Sequence, residues 1–185
     1  MGDEIIVPDF SWNNQRLNWN ERWMCAAIVA AARSSCLYIH TGAVIVKDKR
    51  ELANGYNGPP PGFELSCSEF GFCEKRTNKR GIGRCIGNHA ETNGLQQIDW
   101  QDKIGADIYS LFSPCYRCSK EIAQARLNKV YYLKKYTSTK EDEHPDLPLE
   151  YLRQAGIISI ELEETPPITK TIETFFPDGL KCPEV

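Results

Sequence analysis

The sequence lacks a long hydrophobic run, an excess of basic residues and an internal repeat. Its most apolar run, Met24 to Ala32, is much shorter than the stretch of about 20 residues that a helix needs to cross a bilayer. The 22 Lys and Arg residues are outnumbered by 25 Asp and Glu residues, which gives a net charge of −3. Nucleic-acid polymers are bound through excess positive charge. We therefore expect neither a membrane nor a nucleic-acid polymer as a partner, whereas a small nucleotide stays possible.

The N-terminus also lacks the features of a targeting segment. It begins Met1-Gly2-Asp3-Glu4, and early acidic residues are atypical of signal and transit peptides. Ile6 stands where a myristoylation motif needs Ser or Thr. We expect a cytoplasmic protein, in the host cytoplasm if a phage encodes it, where thiols stay reduced. In that compartment the eight cysteines indicate metal ligands rather than disulfides.

Several local signals predict the first secondary-structure elements. Asn18 and Glu21 predict a capping box for a helix that runs to about Arg33. Two β-branched runs, at 41–46 and 52–56, predict a hairpin around the turn at 47–50. The expected core face of the helix consists of Trp19, Trp23, Ala26, Ala27 and Ala30.

The rest of the chain alternates helical and extended patterns after a long aperiodic segment at 57–88. The patterns predict helices at 89–98, 115–127 and 147–155, and strands at 107–111, 130–133 and 157–162. This alternation predicts an α/β fold, a three-layer α/β/α sandwich with a central mixed five-stranded sheet. We expect a single domain over residues 1–185, with a core at 18–164 and a C-terminal tail at 165–185.

The most informative motif is His89-Ala90-Glu91, followed by Pro114-Cys115-Tyr116-Arg117-Cys118. It supplies an imidazole and two thiols as zinc ligands, which leave one position of a tetrahedral site for water. Such a water loses a proton easily, and Glu91 is the candidate group that moves this proton. The pattern H-x-E…P-C-x-x-C is the signature of zinc-dependent nucleobase deaminases. The alternative is that a fourth protein ligand closes a purely structural zinc site.

Local helix signals explain how the motif would assemble. Asn88 can cap a helix that opens at His89, and Pro114 suits the first position of a second helix. Cys115 and Cys118 then share one face of the first turn of that second helix. The positive end of its dipole favours thiolates. Two such helix starts facing each other would bring all three ligands to one point.

Three further cysteines lie within the aperiodic segment, and a fourth follows the end of the first predicted helix. A closed zinc site with four cysteine ligands would offset the closure entropy of a long loop that lacks its own core. Alternatively, some of these residues are small buried hydrophobes. Their irregular spacing leaves both interpretations open. The four residues are Cys36, Cys67, Cys73 and Cys85.

From about Trp23 to Leu162 the chain resembles the deoxycytidylate (dCMP) deaminases of the cytidine-deaminase-like superfamily. The turn Gly55-Tyr56-Asn57-Gly58 favours this branch over nucleoside or tRNA deaminases. Bacterial and phage members also place cysteines near the four just named, so the resemblance implies a second, structural zinc ion. The other segments that carry the resemblance are Arg33-Ser34-Ser35-Cys36, Thr41-Gly42-Ala43-Val44-Ile45-Val46, Asn88-His89-Ala90-Glu91-Thr92-Asn93 and Ser113-Pro114-Cys115-Tyr116-Arg117-Cys118.

The resemblance implies a role for each residue of the motif. His89, Cys115 and Cys118 match the catalytic zinc ligands, and Glu91 matches the proton shuttle. The implied reaction is hydrolytic removal of the C4 amino group of dCMP, which yields dUMP for thymidylate synthesis and ammonia. The backbone of Ala90 matches a contact to the base carbonyl. The other candidate substrate contacts are Asn57, Ser113 and Tyr136.

Family members are commonly homohexamers that dCTP activates together with Mg²⁺ and that dTTP inhibits, and we expect the same properties here. Residues 75–84 hold five basic groups and no acid. Their arginines Arg76, Arg80 and Arg84 are candidates for binding a phosphate of substrate or effector. A solvated surface is the alternative interpretation of this charge run.

Three residues depart from the family pattern. Gly94 replaces a usual Ala, and Leu111 replaces a small or hydroxylic residue. Both lie near the expected active-site helices and are predicted to adjust the pocket. Trp100 stands where some phage relatives have an arginine linked to effector binding, which puts allosteric control in doubt.

Two other functions compete with dCMP deamination. One is a different zinc deaminase, acting on tRNA adenosine, guanine or single-stranded DNA cytosine. The other is a non-catalytic, zinc-stabilised module that binds a nucleotide. The presence of Glu91 argues against the non-catalytic module, because a structural zinc site does not need an unliganded carboxylate beside the metal.

Overall fold

A mixed sheet of five strands lies at the centre of the computed structural model, which describes residues 16–63, 65–79, 81, 84–136 and 146–180. The strands run in the order β2-β1-β3-β4-β5 across the sheet. Strand β1 is antiparallel to both of its neighbours, β2 and β3, whereas β3, β4 and β5 are parallel to one another. Their bounds are β1 Gly42–Lys47, β2 Arg50–Tyr56, β3 Asp107–Phe112, β4 Lys129–Lys134 and β5 Ile158–Glu161.

Helices cover both faces of this sheet. The side chains of β1 alternate, so that Val44 and Val46 contribute to one buried cluster and Ala43 and Ile45 to the other. The first cluster contains residues of α1 and α8, and the second contains residues of α4, α6 and α7. The predicted three-layer α/β/α sandwich is therefore confirmed. The helices are α1 Trp19–Ala31, α2 Cys67–Phe70, α3 Glu74–Thr77, α4 Ala90–Leu95, α5 Trp100–Lys103, α6 Tyr116–Gln124, α7 Leu147–Gln154 and α8 Pro166–Phe175.

The predicted hairpin joins β1 to β2. Its two turn residues, Asp48 and Lys49, have positive φ values of 50° and 60°. Two successive left-handed residues form the tight turn whose twist matches that of antiparallel strands. The hairpin holds β2 at one edge of the sheet, where α4 packs on it.

Helix α1 begins with the capping box that Asn18 and Glu21 predict, with hydrogen bonds of 2.8 and 3.0 Å. Its predicted core face is partly wrong, because Trp19 is 43% exposed and stacks on Trp23 at the edge of the core. The helix is rotated about its axis relative to that prediction, so that Met24, Ile28 and Ala31 are buried in addition to Trp23 and Ala27. The buried residues of α1 are Trp23, Met24, Ala27, Ile28 and Ala31.

The segment after residue 164 contains a helix that the sequence analysis did not assign. Thr165 is the N-cap of α8, and Pro166 fits the first turn because its missing N–H would have no partner there. Ile168 and Ile172, one turn apart, are buried against α1. Part of the expected tail therefore contributes to the core.

The aperiodic segment at 57–88 contains two short helices, α2 and α3. Both of its ends are held, because Gly58 and Asn88 exchange backbone hydrogen bonds of 2.8 and 3.2 Å. The segment is therefore a loop that is closed at its base. Its first end follows β2 and its second leads directly into α4.

Helix α4 packs unusually close to β2. A Cβ atom at Gly55 would collide with the carbonyl oxygen of Ala90 and with the backbone nitrogen of Gly94. Glycine at position 55 therefore lets the start of α4 rest directly on the strand. Across the described residues, we find no helix with the length and apolar character of a membrane span.

Candidate active site

The first turns of α4 and α6 bring three ligand-type side chains together. His89 is the N-cap of α4 and Cys115 is the N-cap of α6. The Nδ1 atom of His89 lies 3.4 Å from the Sγ atom of Cys115 and 3.3 Å from that of Cys118. All three ligand atoms lie within 4.8 Å of one another.

Both helices begin later than the sequence analysis predicts. Asn88 does not cap α4, because its backbone pairs with Gly58, and His89 takes the N-cap position. Pro114 likewise precedes the N-cap of α6 instead of occupying its first turn. The extended backbone of His89 and Cys115 directs both side chains beyond the helix ends. This geometry, rather than a shared helical face, lets the ligands converge.

The cluster has the donor set of a zinc site. One imidazole nitrogen and two sulfurs match the ligands that zinc prefers, and three protein ligands leave a position for a small molecule. Within the described ranges, this is the one cluster with three or more His, Cys, Asp or Glu ligand atoms at such close range.

The electrostatics of the two cysteines also favour a cation. Hydrogen bonding with Cys118 lowers the pKa of Cys115 to about 4. The same contact, followed by burial, raises the pKa of Cys118. The pair therefore holds one negative charge near neutral pH, at the positive end of the α6 dipole.

Glu91 lies beside the cluster without belonging to it. Its side chain is 6% exposed, in the first turn of α4. Burial raises the pKa of Glu91, while the nearby His89 counteracts this rise. A buried carboxyl with a raised pKa next to a metal site is suited to accept and return a proton.

A cavity opens on the cluster and connects it to the loop at 57–88. It is lined by Glu91, His89 and Cys115 together with the candidate substrate contacts Asn57, Ser113 and Tyr136. Apolar side chains that the sequence analysis did not identify also face it. These are Ile39, Pro59, Ile86 and Phe112. In the sequence, only their proximity to recognised motif residues could have indicated that they line the cavity.

The Asn57 side chain holds the cavity wall. Its Oδ1 accepts a hydrogen bond of 3.0 Å from the N–H of Thr41, and its Nδ2 donates one of 2.9 Å to the carbonyl of Ile39. These contacts fix the segment that leads into β1. The side chain that is predicted to bind substrate therefore already makes two hydrogen bonds within the protein.

Ser113 organises the opposite wall. The backbone N–H of Tyr136 donates a hydrogen bond of 2.9 Å to the Ser113 hydroxyl, which can still donate its own proton. The contact places Tyr136, which follows β4, beside the loop that leads into α6. The two predicted substrate contacts therefore support each other.

The basic residues near the cavity lie outside it. The Arg76 guanidinium stacks 4.0 Å from the ring centroid of Tyr38, and Arg84 is exposed and precedes Cys85, which lines the cavity. Arg80 lies outside the described residues. Of the side chains that are described, the cavity lining includes neither Lys nor Arg.

Three of the four additional cysteines line this cavity, which the sequence analysis did not predict. Cys36, Cys67 and Cys85 line it, and Cys73 is buried nearby. Burial, followed by the charges of Cys73, Cys85 and Cys36, raises the pKa of Cys67 to about 11. No three of these four sulfur atoms, which all belong to described residues, lie as close together as the ligand atoms of the His89 cluster.

The departures from the family pattern lie away from the cavity. Gly94 faces β1 and β2, where an added Cβ would meet Ile45 at 3.1 Å. Leu111 is fully buried in the core on the α1 side of the sheet. Neither residue lines the cavity, so the predicted adjustment of the pocket would have to act through the position of α4 or of β3 and stays a prediction. Trp100 begins α5 and is 46% exposed.

Residues 17–134, well over half of the chain, match the family described as "Cytidine and deoxycytidylate deaminase zinc-binding region". The chain is 39% identical over 128 residues to "Deoxycytidylate deaminase" of Mycobacterium phage D29, which covers 64% of this chain and 97% of that protein. It is 36% identical over 154 residues to "ComE operon protein 2" of Bacillus subtilis (strain 168), covering 81% of this chain and 75% of the relative.

A similar solved structure is the dCMP deaminase of cyanophage S-TIM5 in complex with dCMP and dUMP. The two share 30% sequence identity and a TM-score of 0.63, over 80% of this chain and 99% of that one. The fold is thus that of the cytidine-deaminase-like superfamily. Within it, the chain belongs to the cytidine and deoxycytidylate deaminase family, whose members are hydrolytic deaminases.

We predict that Cys118→Ser lowers the zinc content of the purified protein by about one ion per chain, because the motif would lose a thiolate ligand. Elemental analysis after gel filtration measures this content. The matched control is Cys25→Ser on α1, whose thiol contacts the carbonyl of Pro167 at 3.8 Å and should not affect zinc. Unchanged zinc in Cys118→Ser would contradict the assignment.

Proposed function

We propose that the protein catalyses the zinc-dependent hydrolysis of dCMP to dUMP and ammonia. The observation that carries this proposal is Glu91, a buried carboxyl that faces the same cavity as His89 and Cys115 but is not needed as a ligand. A site with a structural role alone has no use for such a group. The similarity to a structure that holds dCMP and dUMP supports the choice of substrate.

The residues of the site suggest how the reaction proceeds. A zinc ion held by His89, Cys115 and Cys118 would make water a stronger nucleophile near neutral pH. The oxygen of the attacking water bonds to C4 while Glu91 accepts one of its protons and delivers it to N3 of the pyrimidine. Glu91 then takes the remaining proton from the C4 hydroxyl and transfers it to the amine. The C4–N bond breaks, ammonia leaves and the C4 hydroxyl becomes a carbonyl.

The walls of the cavity would position the base. Ala90 is the first residue of α4, and the N–H of a first helical residue has no acceptor within its helix. Ala90 is fully buried and does not itself line the cavity, but its neighbours His89 and Glu91 do, and we assign its N–H to the C2 carbonyl of the pyrimidine. We assign the Ser113 hydroxyl and the Tyr136 ring to the opposite wall, where an aromatic face can stack on the base. Asn57 would contribute both by direct contact and by fixing residues 39–41.

We also retain, as part of the proposal, the properties that the family resemblance implies. These are a cytoplasmic homohexamer that supplies dUMP for thymidylate synthesis, activation by dCTP with Mg²⁺, and inhibition by dTTP. Titrating both nucleotides in a dCMP assay tests the regulation.

We predict that Glu91→Gln lowers kcat for dCMP by about 10²–10⁴-fold, because the amide keeps the shape of the side chain but cannot shuttle a proton. Zinc content should stay at the wild-type level. Release of ammonia measures the activity, and Glu173→Gln on the exposed side of α8 is the control. Near-normal turnover by Glu91→Gln would refute the mechanism.

The same assay, run on wild-type protein with other substrates, distinguishes the competing functions. Deoxycytidine, guanine, single-stranded DNA and tRNA replace dCMP in parallel reactions. Faster turnover of any of them would favour another zinc deaminase. No turnover at all, with zinc bound, would favour a nucleotide-binding module.

We further propose that Cys36, Cys67, Cys73 and Cys85 bind a second zinc ion that holds the cavity wall. Two of these cysteines are connected to the active site through short segments. The Ser34 hydroxyl accepts from the N–H of Cys36 and donates to the carbonyl of Asn57, at 3.3 and 3.1 Å. Cys85 lies just before Asn88, which pairs with Gly58. A metal ion between them would join the Asn57 side to the His89 side.

We predict that Cys73→Ser removes about one zinc ion per chain and raises KM for dCMP about tenfold, with kcat within about twofold. Cys73 does not line the cavity, so an effect on KM must act through the other three cysteines. Elemental analysis and steady-state kinetics provide the two readouts, again with Cys25→Ser as the control. Unchanged zinc content would refute the second site, and unchanged KM would refute its connection to the cavity.

We finally propose that Arg84 binds the 5′-phosphate of the substrate. A phosphate needs charge-assisted donors, and Arg84 adjoins the lining residue Cys85. Arg76 is a second candidate, since it stacks on Tyr38 beside the lining residue Ile39. Arg80 belongs to the same basic run and stays a prediction from the sequence.

We predict that Arg84→Gln raises KM for dCMP about tenfold, as expected when one charge-assisted hydrogen bond is lost. KM for deoxycytidine, which has no phosphate, should not change. Arg50→Gln in the distant hairpin controls for a general loss of positive charge. An equal effect on both substrates, or on neither, would refute the phosphate contact.

A further inference from the structure

A hydrogen bond joins the two helices that carry the ligand cluster. The Oγ1 atom of Thr92 in α4 donates to the Oε2 atom of Glu121 in α6 at 2.6 Å. On its other side, the Glu121 carboxylate accepts a hydrogen bond of 3.3 Å from the Nε atom of Arg117. The chain Arg117–Glu121–Thr92 is therefore a continuous polar connection between α6 and α4.

This connection lies one helical turn behind the ligand atoms. Thr92 is three residues after His89 and directly follows Glu91, and Glu121 is three residues after Cys118. Residues three apart lie on the same side of a helix. A change in the separation of Thr92 and Glu121 would therefore be passed on to the ligands one turn away.

The two helices have few other means of keeping this separation. Helix α4 packs mainly on β2 and β1, whereas α6 packs mainly on α7. Direct contacts between α4 and α6 are few by comparison. Both helices contribute to the same buried cluster on the sheet, and the Thr92–Glu121 hydrogen bond adds a direct polar link between them.

The environment makes this hydrogen bond a strong one. Thr92 is 7% exposed and the Glu121 side chain 31% exposed. The hydroxyl donates to a carboxylate at a distance of 2.6 Å, and such a hydrogen bond is short and charge-assisted. Arg117 is 64% exposed, so water screens its ion pair and its contribution is small. Its contact orients the Glu121 carboxylate but does not hold the helices.

We propose that Thr92 and Glu121 are positioning residues that set the distance between His89 and the two cysteines. In doing so they determine how tightly the cluster retains its metal ion and where Glu91 lies relative to it. This inference rests on the metal site proposed above. Neither residue is a ligand, and neither lines the cavity.

The test compares Thr92→Val, which keeps the shape but removes the hydroxyl, with Thr92→Ser, which keeps the hydroxyl. Zinc transfer to a chromogenic chelator gives the rate of metal loss. The visible absorption of the cobalt-substituted protein reports the ligand geometry. We expect Thr92→Val to lose zinc about tenfold faster and to shift the cobalt bands. Thr92→Ser should behave as the wild type does.

Two variants of Glu121 complete the test. Glu121→Gln keeps an oxygen that accepts from Thr92 and should retain zinc better than Glu121→Ala. The double variant Thr92→Val/Glu121→Ala should lose zinc no faster than the worse single variant, because both changes break one connection. Arg117→Gln is the control and should alter the rate by less than about twofold.

The outcomes separate this inference from the function on which it rests. Wild-type release rate and cobalt spectrum in Thr92→Val would overturn the positioning role. Fully additive effects of the two substitutions would overturn it as well. A wild-type protein that holds no metal at His89 would instead refute the proposed site, and both readouts are independent of whether dCMP is the substrate. Thermal unfolding of each variant identifies any that fail to fold.

Discussion

The approach of two helix starts to a single point is the constraint on which the rest of the structure depends. His89 and Cys115 are N-cap residues with extended backbones, so their side chains reach past the helix ends to meet each other. That meeting requires α4 to rest directly on β2, which glycine at position 55 permits. It also requires α6 to follow β3 after a very short connection. The mixed sheet thus serves as the frame that aims both helices.

The same frame explains why the cavity has two kinds of wall. Near the cluster, the lining comes from residues tied to the sheet, such as Phe112 and Ser113 at the end of β3. Farther away, it comes from loops that polar contacts hold in place, with Asn57 and its partners at residues 39–41 as the main example. The lining of the cavity therefore combines residues that the sheet holds in place with loop residues that hydrogen bonds hold in place.

Local signals were sufficient to predict most of this framework. The capping box at Asn18 and the hairpin turn at 47–50 depend on residues that are close in sequence, and each has its predicted partner in the structure. His89 lies 26 and 29 positions from the two cysteines, and their approach could be predicted because the three residues form a recognised motif. Helix α8 was missed because Pro166-Pro167 resembles a loop, although proline also suits a first helical turn.

Features that depend on distant partners outside a recognised motif could not be predicted. The bond between Thr92 and Glu121 joins residues 29 positions apart, and Asn57 binds backbone groups 16 and 18 positions away. Nothing in the spacing of Cys36, Cys67 and Cys85 indicates that they border the cavity. The orientation of α1 was misjudged for a similar reason, since which side of an apolar helix faces inward depends on the sheet and on α8.

The backbone pairing of Gly58 with Asn88 has a consequence for how this chain can vary. It brings the two ends of a loop of nearly 30 residues side by side, and the stem so formed is independent of what the loop contains. A change in length in the middle of the loop would therefore leave this pair in place. A change close to either end would alter the cavity itself, because Pro59, Cys85 and Ile86 belong to its lining. The stem thus separates a part of the loop that can vary in length from two short parts that the cavity constrains.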